Sequence, residues 1–285
     1  MNPTSGKHIL VTGANGYIGA HAVRSLLARG AKVTAADLSS EFIDPRAEII
    51  IGDFLADPEL IFRSGKLPDA VIHFAWEDGF NHNAPSHMAK LSAHFRFLTG
   101  LADRGVRQIA VMGTMHEVGC HEGMVDENTP CRPLSQYGVA KNALRQALEL
   151  FCSARGIVFQ WLRGFYILGD DERNHSLFTQ ILKAAKSGAA EFPFTSGNRR
   201  YDFQTVDELA EQIAACLMQT EIQGIIHCCS GRPVPLGEVA ERFIRDHNLK
   251  IRLRYGAFPD RPYDSDAIWG DDSKIRKIKT TEMHL

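Results

Sequence analysis

The chain has 285 residues, of which 44% are hydrophobic and 23% charged, and its 32 Lys and Arg against 34 Asp and Glu give a formal net charge of −2. This composition predicts a globular protein with a buried core and excludes an intrinsically disordered chain. The nearly neutral charge excludes a strongly basic nucleic-acid-binding surface as the main function.

The cysteines and the N-terminus exclude further classes. The six cysteines show no regular spacing, and two of them, Cys228 and Cys229, are adjacent. We therefore expect reduced thiols and no metal site, rather than a disulfide framework or a zinc site. Residues 1–7 are polar and only a short apolar run precedes Gly13, which does not fit a secretory signal. No apolar run approaches the roughly 20 residues that span a bilayer, so we expect a cytoplasmic protein.

Strands and helices alternate in the first half of the chain. The predicted strands are His8–Thr12, Ala31–Asp37, Glu48–Ile51, Ala70–Ala75 and Gln108–Met112, and the predicted helices are Ile18–Ala28 and Ser86–Arg104. Short apolar runs bounded by glycine indicate buried strands, and apolar residues at helical spacing indicate amphipathic helices. Such alternation favours a parallel sheet covered by helices on both faces. We therefore predict an α/β fold with a Rossmann-type doubly wound parallel sheet.

The pattern changes after Gly164. The predicted elements are a helix at Asn174–Lys186, a short interrupted segment at Phe192–Phe194, a strand entry and helix at Tyr201–Met218, and a buried strand at Ile225–Cys229. We expect a cofactor-binding core at 1–165, to which 201–230 return, and a small C-terminal substrate-binding lobe built from 166–200 and 231–285.

A GxxGxxG turn, formed by Gly13, Gly16 and Gly19, lies between the first strand and the first helix. Glycines there allow a tight turn and close approach of the backbone to a diphosphate, for which the helix N-terminus supplies N–H donors. Asp37 ends the second strand 18 residues after Gly19, where a carboxylate accepts both ribose hydroxyls of an adenosine. No Arg or Lys lies in the five residues after Asp37, which favours NAD, although Arg46 leaves NADP open.

This turn, together with the segment from Tyr137 to Lys141 (YGVAK), resembles the extended short-chain dehydrogenase/reductase family, in its branch of nucleotide-sugar epimerases, dehydratases and reductases. The likeness covers nearly the whole chain and implies a role in carbohydrate biosynthesis. It implies adenine contacts from Gly52-Asp53-Phe54, and phosphate and ribose contacts from His73-Phe74-Ala75-Trp76, where Trp76 replaces a commoner Ala. The cofactor-binding residues so predicted are Gly13, Asn15, Gly16, Tyr17, Ile18, Gly19, Asp37, Asp53, Phe54, Phe74, Ala75, Trp76, Tyr137 and Lys141.

Three residues are predicted to be catalytic. Tyr137 and Lys141 are four residues apart and share a helix face, so that the ammonium group is expected to lower the tyrosine pKa towards the working range. The resemblance implies that Lys141 binds the nicotinamide ribose. It also places Thr114, counted back from Gly119, where a hydroxyl binds the substrate oxygen that tyrosine protonates. The alternative from another class is a non-catalytic NAD-sensing protein.

The residues beside Thr114 separate the activities of the family. The chain has Met115-His116 where the 4,6-dehydratases carry an Asp-Glu pair, which disfavours dehydration. Gly113-Thr114 followed by Glu117 resembles reductases of 4-keto-6-deoxy sugar nucleotides, and His116 and Glu117 are candidate substrate contacts. His116 is open to three interpretations: a second acid/base group, a contact to a substrate hydroxyl, or a packed imidazole. An epimerase that retains NAD is the alternative to the reductase.

The resemblance implies further substrate contacts in the lobe. Ser176 and Leu177 lie in a stretch that touches the diphosphate, although Asn174 or Ser176 also suits a helix N-cap. Arg200 and Arg261 are predicted anchors, since a guanidinium binds a diphosphate through two hydrogen bonds. Tyr166 replaces the usual Asn at the junction between core and lobe. The family also implies a homodimer formed by the helices Ser86–Arg104 and Gln136–Arg155.

Overall fold

A computed structural model describes residues 6–63, 65–169, 176–260 and 264–282. Among these residues the strands are β1 His8–Thr12, β2 Lys32–Asp37, β3 Glu48–Ile51, β4 Ala70–His73, β5 Gln108–Thr114, β6 Gly123–Val125, β7 Val158–Gly164, β8 Tyr166–Leu168, β9 Glu191–Pro193, β10 Arg200–Thr205, β11 Gly224–Cys228, β12 Pro233–Pro235, β13 Arg252–Arg254 and β14 Ala267–Gly270. The helices are α1 Tyr17–Ala28, α2 Ser86–Ala89, α3 Leu91–Asp103, α4 Gln136–Ser153, α5 Leu177–Lys186, α6 Val206–Leu217, α7 Leu236–Asp246 and α8 Ser273–Glu282. Short 3-10 turns occupy Pro58–Phe62 and Met115–Glu117.

Seven of these strands form one parallel sheet in the described part of the chain. Its order is β11-β7-β5-β4-β1-β2-β3, and every neighbouring pair runs parallel. The prediction of a doubly wound α/β sheet is confirmed. Several strand bounds differ from the predicted ones: β4 ends at His73, β5 continues to Thr114, β2 starts at Lys32, and β11 spans Gly224–Cys228. The predicted helix Ser86–Arg104 is two helices, α2 and α3, with Lys90 between them. Asn174, the predicted first residue of the following helix, lies outside the described residues. The sequence reading did not predict β7, which lies between β5 and β11 in the sheet.

The two faces of the sheet bury alternate residues of the same strands. Ile9 and Val11 of β1 belong to a core that also contains residues of α1, α6 and α8. Leu10 belongs to the opposite core, with residues of α3 and α4. Successive side chains of a strand point to opposite faces, so a continuous apolar run is what a sheet covered on both sides requires.

A second, five-stranded sheet follows the order β12-β10-β14-β6, with β8 paired to β10. Helices α5 and α7 pack nearby over a third core that includes Phe178, Phe194 and Phe243. The predicted division assigned residues 201–230 to the core. Strand β10, at the start of that segment, instead lies in the second sheet. From the same segment, α6 packs on α1 and β11 is an edge of the large sheet. The division into core and lobe stays a prediction.

Three properties of the described residues bear on the class of protein. No helix in these ranges combines the length and the apolarity needed to cross a membrane. Within the same ranges, no group of three or more His, Cys, Asp or Glu side chains is arranged to hold a metal ion. All six cysteines lie in described segments and are free thiols.

Candidate active site

The glycine turn after β1 brings the backbone close to the end of β4. Gly13 has a φ of +71°, and a Cβ on it would lie 2.5 Å from the amide nitrogen of Ala75. A Cβ on Gly19 would overlap the carbonyl oxygen of Gly13. Gly16 is the N-cap of α1 and supplies no side-chain hydrogen bond to it. The first amides of α1 are therefore presented to an anion at the carboxyl edge of the sheet.

Asp37 lies at the end of β2 beside this turn. Its carboxylate accepts the backbone N–H of Asn15 at 2.8 Å and that of Leu38 at 2.6 Å. Asp53, on the next loop, accepts the N–H groups of the two residues at positions 55 and 56. Arg46, the residue that left NADP open, instead forms an ion pair with Asp44 at 2.7 Å.

Three adjoining cavities follow the carboxyl edge of the large sheet into the second sheet. The first, about 590 Å³, is lined by the glycine turn and by the ends of β2 and β4. The second, about 510 Å³, shares Gly13, Gly16, Phe74 and Trp76 with the first. The third cavity, also about 510 Å³, lies at the second sheet. It shares its wall with the second through His116, Tyr166, Ile167 and Ser176.

The predicted cofactor-binding residues all line one or both of the first two cavities. Those of the first are Gly13, Asn15, Gly16, Asp37, Asp53, Phe54, Phe74, Ala75 and Trp76. Those of the second are Gly13, Gly16, Tyr17, Ile18, Gly19, Phe74, Trp76, Tyr137 and Lys141. Residues from five separate segments thus converge on a single elongated groove.

The three predicted catalytic residues meet in the second cavity. Thr114 is the last residue of β5, and its hydroxyl acts to lower the pKa of Tyr137. Ser135 is the N-cap of helix α4, and its hydroxyl accepts the N–H of Gly138 at 3.2 Å, so Tyr137 and Lys141 lie on the first two turns of the helix. Lys141 Nζ donates to the carbonyl oxygen of Met112 at 2.9 Å. The triad is anchored to one strand end and one helix start.

The pKa values in the triad are governed mainly by burial. Burial raises the pKa of Tyr137 well above its ordinary value, the carboxylate of Glu117 raises it further, and the hydroxyl of Thr114 opposes both. Burial lowers the pKa of Lys141 to about 7, against the attraction of Glu117. The expected lowering of the tyrosine pKa is not found, because burial disfavours the phenolate. Tyr137 is therefore a neutral phenol at neutral pH.

Two histidine rings flank Tyr137 in the same cavity. The ring of His82 stacks on that of Tyr137 at 5.3 Å between centroids, and His116 lies 4.4 Å from His82. Burial, and then His82, lower the pKa of His116 to about 4. His116 is therefore neutral at neutral pH, and it stands where the second and third cavities meet.

Glu117 lies behind the site rather than in it, which corrects its prediction as a substrate contact. The residue is completely buried and forms an ion pair with the equally buried Arg163 at 2.9 Å. Its carboxylate also accepts the indole N–H of Trp161 and, at 2.7 Å, the backbone N–H of Thr114. These donors occupy both carboxylate oxygens, so Glu117 holds the Thr114 segment in place.

The predicted substrate contacts separate into three groups. Ser176 and Leu177 line the third cavity, and the hydroxyl of Ser176 also caps α5 by accepting the N–H of Thr179. Arg200 is exposed and lies outside the walls of the three cavities. Arg199 lines the third cavity in its place. Arg261 lies outside the described residues.

Sequence reasoning missed Arg199 and His82. Arg199 directly precedes β10, in which Tyr201 and Phe203 line the same cavity, so a two-residue period continued one residue beyond the strand was a usable signal. His82 follows β4 at the carboxyl edge of the sheet, where ligand sites of such folds lie. That position was its only signal, because the contact with Tyr137 is tertiary.

Comparison with known proteins fits this geometry. The family model for the NAD-dependent epimerase/dehydratase family matches residues 9–228. The chain belongs to this family. It is 45% identical over 269 residues to the dTDP-6-deoxy-L-talose 4-dehydrogenase (NAD(+)) of Aggregatibacter actinomycetemcomitans, with 92% of this chain and 99% of the relative covered.

More distant proteins are similar in sequence or in fold. The UDP-glucose 4-epimerase of Lactobacillus helveticus is 25% identical over 302 residues, which cover 95% of this chain and 90% of the relative. The solved UDP-N-acetylglucosamine 4-epimerase of Methanobrevibacter ruminantium M1, in complex with UDP-N-acetylmuramic acid, superimposes with a TM-score of 0.83 at 22% identity. That match covers 96% of this chain and 92% of that structure.

The residues of the present chain fit NAD, the cofactor of the family. The turn leaves no room for a Cβ at Gly13 or Gly19, the N-terminus of α1 has no side-chain cap, and Asp37 ends β2 at the first cavity. Close backbone approach, free amides and a carboxylate are the features that receive a diphosphate and an adenosine ribose. The carboxylate of Asp37 would repel a 2′-phosphate, so the fit is to NAD.

Proposed function

We propose that this chain is an NAD-dependent oxidoreductase that interconverts the 4-keto and 4-hydroxy forms of a dTDP-linked 6-deoxyhexose. The observation that carries the proposal is the convergence of Thr114, Tyr137 and Lys141 where the groove passes from the glycine turn to the second sheet. The 45% identity to dTDP-6-deoxy-L-talose 4-dehydrogenase supports the choice of sugar and of carbon.

In this proposal each residue of the triad has one role. NAD bound along the first two cavities would provide the hydride chemistry at the sugar C4. Thr114 orients the C4 oxygen, and Tyr137 gives that oxygen a proton during reduction. The raised pKa of Tyr137 keeps the phenol protonated across the neutral range, as this role requires. Lys141 binds the ribose.

The third cavity is proposed to hold the nucleotide. The ring of Tyr166 packs against that of Tyr201 at 4.4 Å, and Phe203 extends the same aromatic wall. Such faces suit a pyrimidine base. Arg199 adds the positive charge that a diphosphate needs, and the N-terminus of α5 with its Ser176 cap lies on the same wall.

A direct assay tests the proposal. Purified protein incubated with NAD+ and dTDP-6-deoxy-L-talose should form NADH stoichiometrically, and the 4-keto product should be reduced when NADH is supplied. NADP+ should support a rate at least about tenfold lower, because Asp37 stands at the ribose. Absence of NADH formation with a panel of dTDP- and UDP-linked hexoses would overturn the proposal.

Tyr137→Phe is the matched variant, because it removes a hydroxyl and preserves the ring. It should lower kcat by at least about a hundredfold while NAD+ binding is retained. Unchanged function in this variant would favour the NAD-sensing alternative. Inversion of the sugar with tightly held, non-exchanging NAD and no net NADH would instead indicate the epimerase, the activity named for the relative that is 25% identical.

The proposal extends to assembly and location. We propose a cytoplasmic homodimer in which α3 and α4 of two copies pack together. Val139 and Leu150 of α4 are apolar side chains that are 42% and 75% exposed, as a helical interface would need. Light scattering of the purified protein tests the dimer, and Leu150→Glu should shift it to a monomer.

A further inference from the structure

Trp76 lies three residues after the end of β4, in the wall shared by the first two cavities. Lys141 Nζ lies 3.9 Å from the centroid of the indole ring. A cation within about 6 Å of an indole face is attracted by the negative charge of the π system. The contact joins the lysine of the triad to a residue that has no role in the proton transfer described above.

Two neighbours hold the plane of the indole. The ring of His94 stacks on it at 4.5 Å between centroids, with an interplanar angle of 12°. The indole N–H donates to Nδ1 of His87 at 3.0 Å. Nε2 of His87 lies 2.9 Å from the carbonyl oxygen of Asn81, so His87 carries its proton on Nε2 and accepts at Nδ1. The indole is fixed both by stacking and by a directed hydrogen bond.

The stacked His94 is itself tied to the large sheet. Its Nδ1 lies 2.9 Å from Nε2 of His73, the last residue of β4. Nδ1 of His73 lies 2.7 Å from the hydroxyl of Thr12, the last residue of β1. A continuous set of contacts therefore runs from two central strands to the ring beneath Lys141.

We propose that Trp76 is a positioning residue for Lys141, whose ammonium it holds against the carbonyl oxygen of Met112. An ammonium has three N–H donors. One N–H donates to the carbonyl oxygen of Met112 and a second N–H faces the indole ring. The third N–H is then left for the cofactor ribose. The consequence for turnover rests on the proposed function, whereas the contact itself can be tested without it.

Several other ionisable groups face Lys141. They are Glu117 after β5, Tyr137 on α4 itself, His73 on β4 and His94 on α3. Glu117 favours the ammonium form, and burial disfavours it, which together bring the lysine pKa to about 7. Both histidines have lowered pKa values because they are buried, so they are neutral at neutral pH. The indole is thus a second attractive partner for a cation that burial destabilises.

The pKa of Lys141 distinguishes an indole of Trp76 that attracts the ammonium from one that only fills space. In Trp76→Leu, loss of the attractive face should lower that pKa by roughly half a unit to one unit. A space-filling tryptophan predicts the opposite sign, because water that enters the gap favours the ammonium form. Trp76→Phe keeps an aromatic face without the N–H donor, so its Lys141 pKa should lie between those of the wild type and of Trp76→Leu.

The measurement is an NMR titration of lysine 13Cε resonances in the ligand-free protein. The Lys141 signal is assigned by its absence in Lys141→Arg. If Trp76→Leu does not fold, site-specific fluorinated tryptophans keep the shape and weaken the face stepwise, and the pKa should fall with each fluorine. An unchanged or raised pKa in either series overturns the inference.

Kinetics give the consequence for the reaction. At pH 7, Trp76→Leu should lower kcat several-fold and move the pH dependence of kcat to follow the new lysine pKa, with KM for the sugar nucleotide nearly unchanged. Trp76→Phe should restore most of the rate. If the titration shifts as expected but the wild type turns over no sugar nucleotide, the proposed function fails and the role of Trp76 stands.

Discussion

The buried pair of Glu117 and Arg163 gives the sharpest test of how this site is built. Both side chains have zero exposure, and the carboxylate and the guanidinium lie 2.9 Å apart. One carboxylate oxygen accepts from Arg163 and the other accepts the N–H of Thr114. In Glu117→Gln either orientation of the amide places its NH2 group against one of these donors. The variant therefore loses a charge and also gains a donor–donor conflict.

The magnitude follows from burial. Removing one partner of a buried ion pair costs about 3–5 kcal/mol, because the remaining charge stays desolvated without compensation. Glu149→Gln is the matched control, since the Glu149 side chain is 49% exposed, and its partner Arg145 at 2.9 Å, which is 11% exposed, keeps its hydrogen bond to Asn142 and its 4.0 Å contact with Glu117 when Glu149 is neutralised. An exposed pair four residues apart on a helix contributes only about 0.3–0.5 kcal/mol.

Urea unfolding at pH 7, followed by circular dichroism, measures both values. Glu117→Gln should lose about 3 kcal/mol or more of unfolding free energy and Glu149→Gln less than about 0.5. Adding Arg163→Met to Glu117→Gln should recover part of the loss, because the uncompensated charge is then absent. A loss below about 1 kcal/mol in Glu117→Gln, or equal losses in the two single variants, would refute the reasoning.

Three further outcomes are expected. Burial lowers the pKa of His94 and of His227 to about 3 from an ordinary 6.5. Below pH 6.5 the unfolded chain therefore binds more protons than the folded chain. The unfolding free energy should fall by about 2 kcal/mol per histidine between pH 6.5 and 5. An unfolding free energy that is constant over this range would contradict the burial of neutral imidazoles. Gly19→Ala should weaken NAD+ binding at least about tenfold in calorimetry, since its Cβ would overlap a carbonyl oxygen of the turn; wild-type affinity would show that the turn can adjust. Arg199→Ala should raise KM for the sugar nucleotide about tenfold or more, whereas Arg200→Ala should change it less than twofold; the reverse order would restore the sequence prediction.

The parts of the fold that the sequence predicted are those with a local signal. Strand β1 is an apolar run that ends in the glycine turn, and α1 repeats apolar residues at helical spacing, so each segment specifies its own structure. Strand β7 has no such signal, because Gln160 and Arg163 interrupt its apolar run. The structure satisfies Gln160 through the carbonyl oxygens of Cys216 and Ile222, which are more than fifty residues away.

The same distinction holds for the candidate site. The glycine turn and the spacing of Tyr137 and Lys141 are local, and the sequence located them. The burial of Glu117 is not local, because it depends on donors from a neighbouring strand. Arg163 and Trp161 on β7 reach Glu117 only because β7 lies beside β5, and Gly113 is small enough to admit the indole of Trp161. Because β7 was not predicted, the structural role of Glu117 could not be inferred from the motif alone.

The end of β5 couples the chemistry of the site to the stability of the sheet. Within six residues it supplies the carbonyl oxygen of Met112 to Lys141, places the hydroxyl of Thr114 in the cavity of Tyr137, and supplies the carboxylate of Glu117 to Arg163. Because β5 is an interior strand between β4 and β7, this segment cannot shift without disturbing both neighbours. Since Glu117 raises the pKa of both Tyr137 and Lys141, its neutralisation should change the pH profile as well as the unfolding free energy. Arg199 directly precedes β10 of the second sheet and is remote from β5, so its removal should change substrate affinity alone.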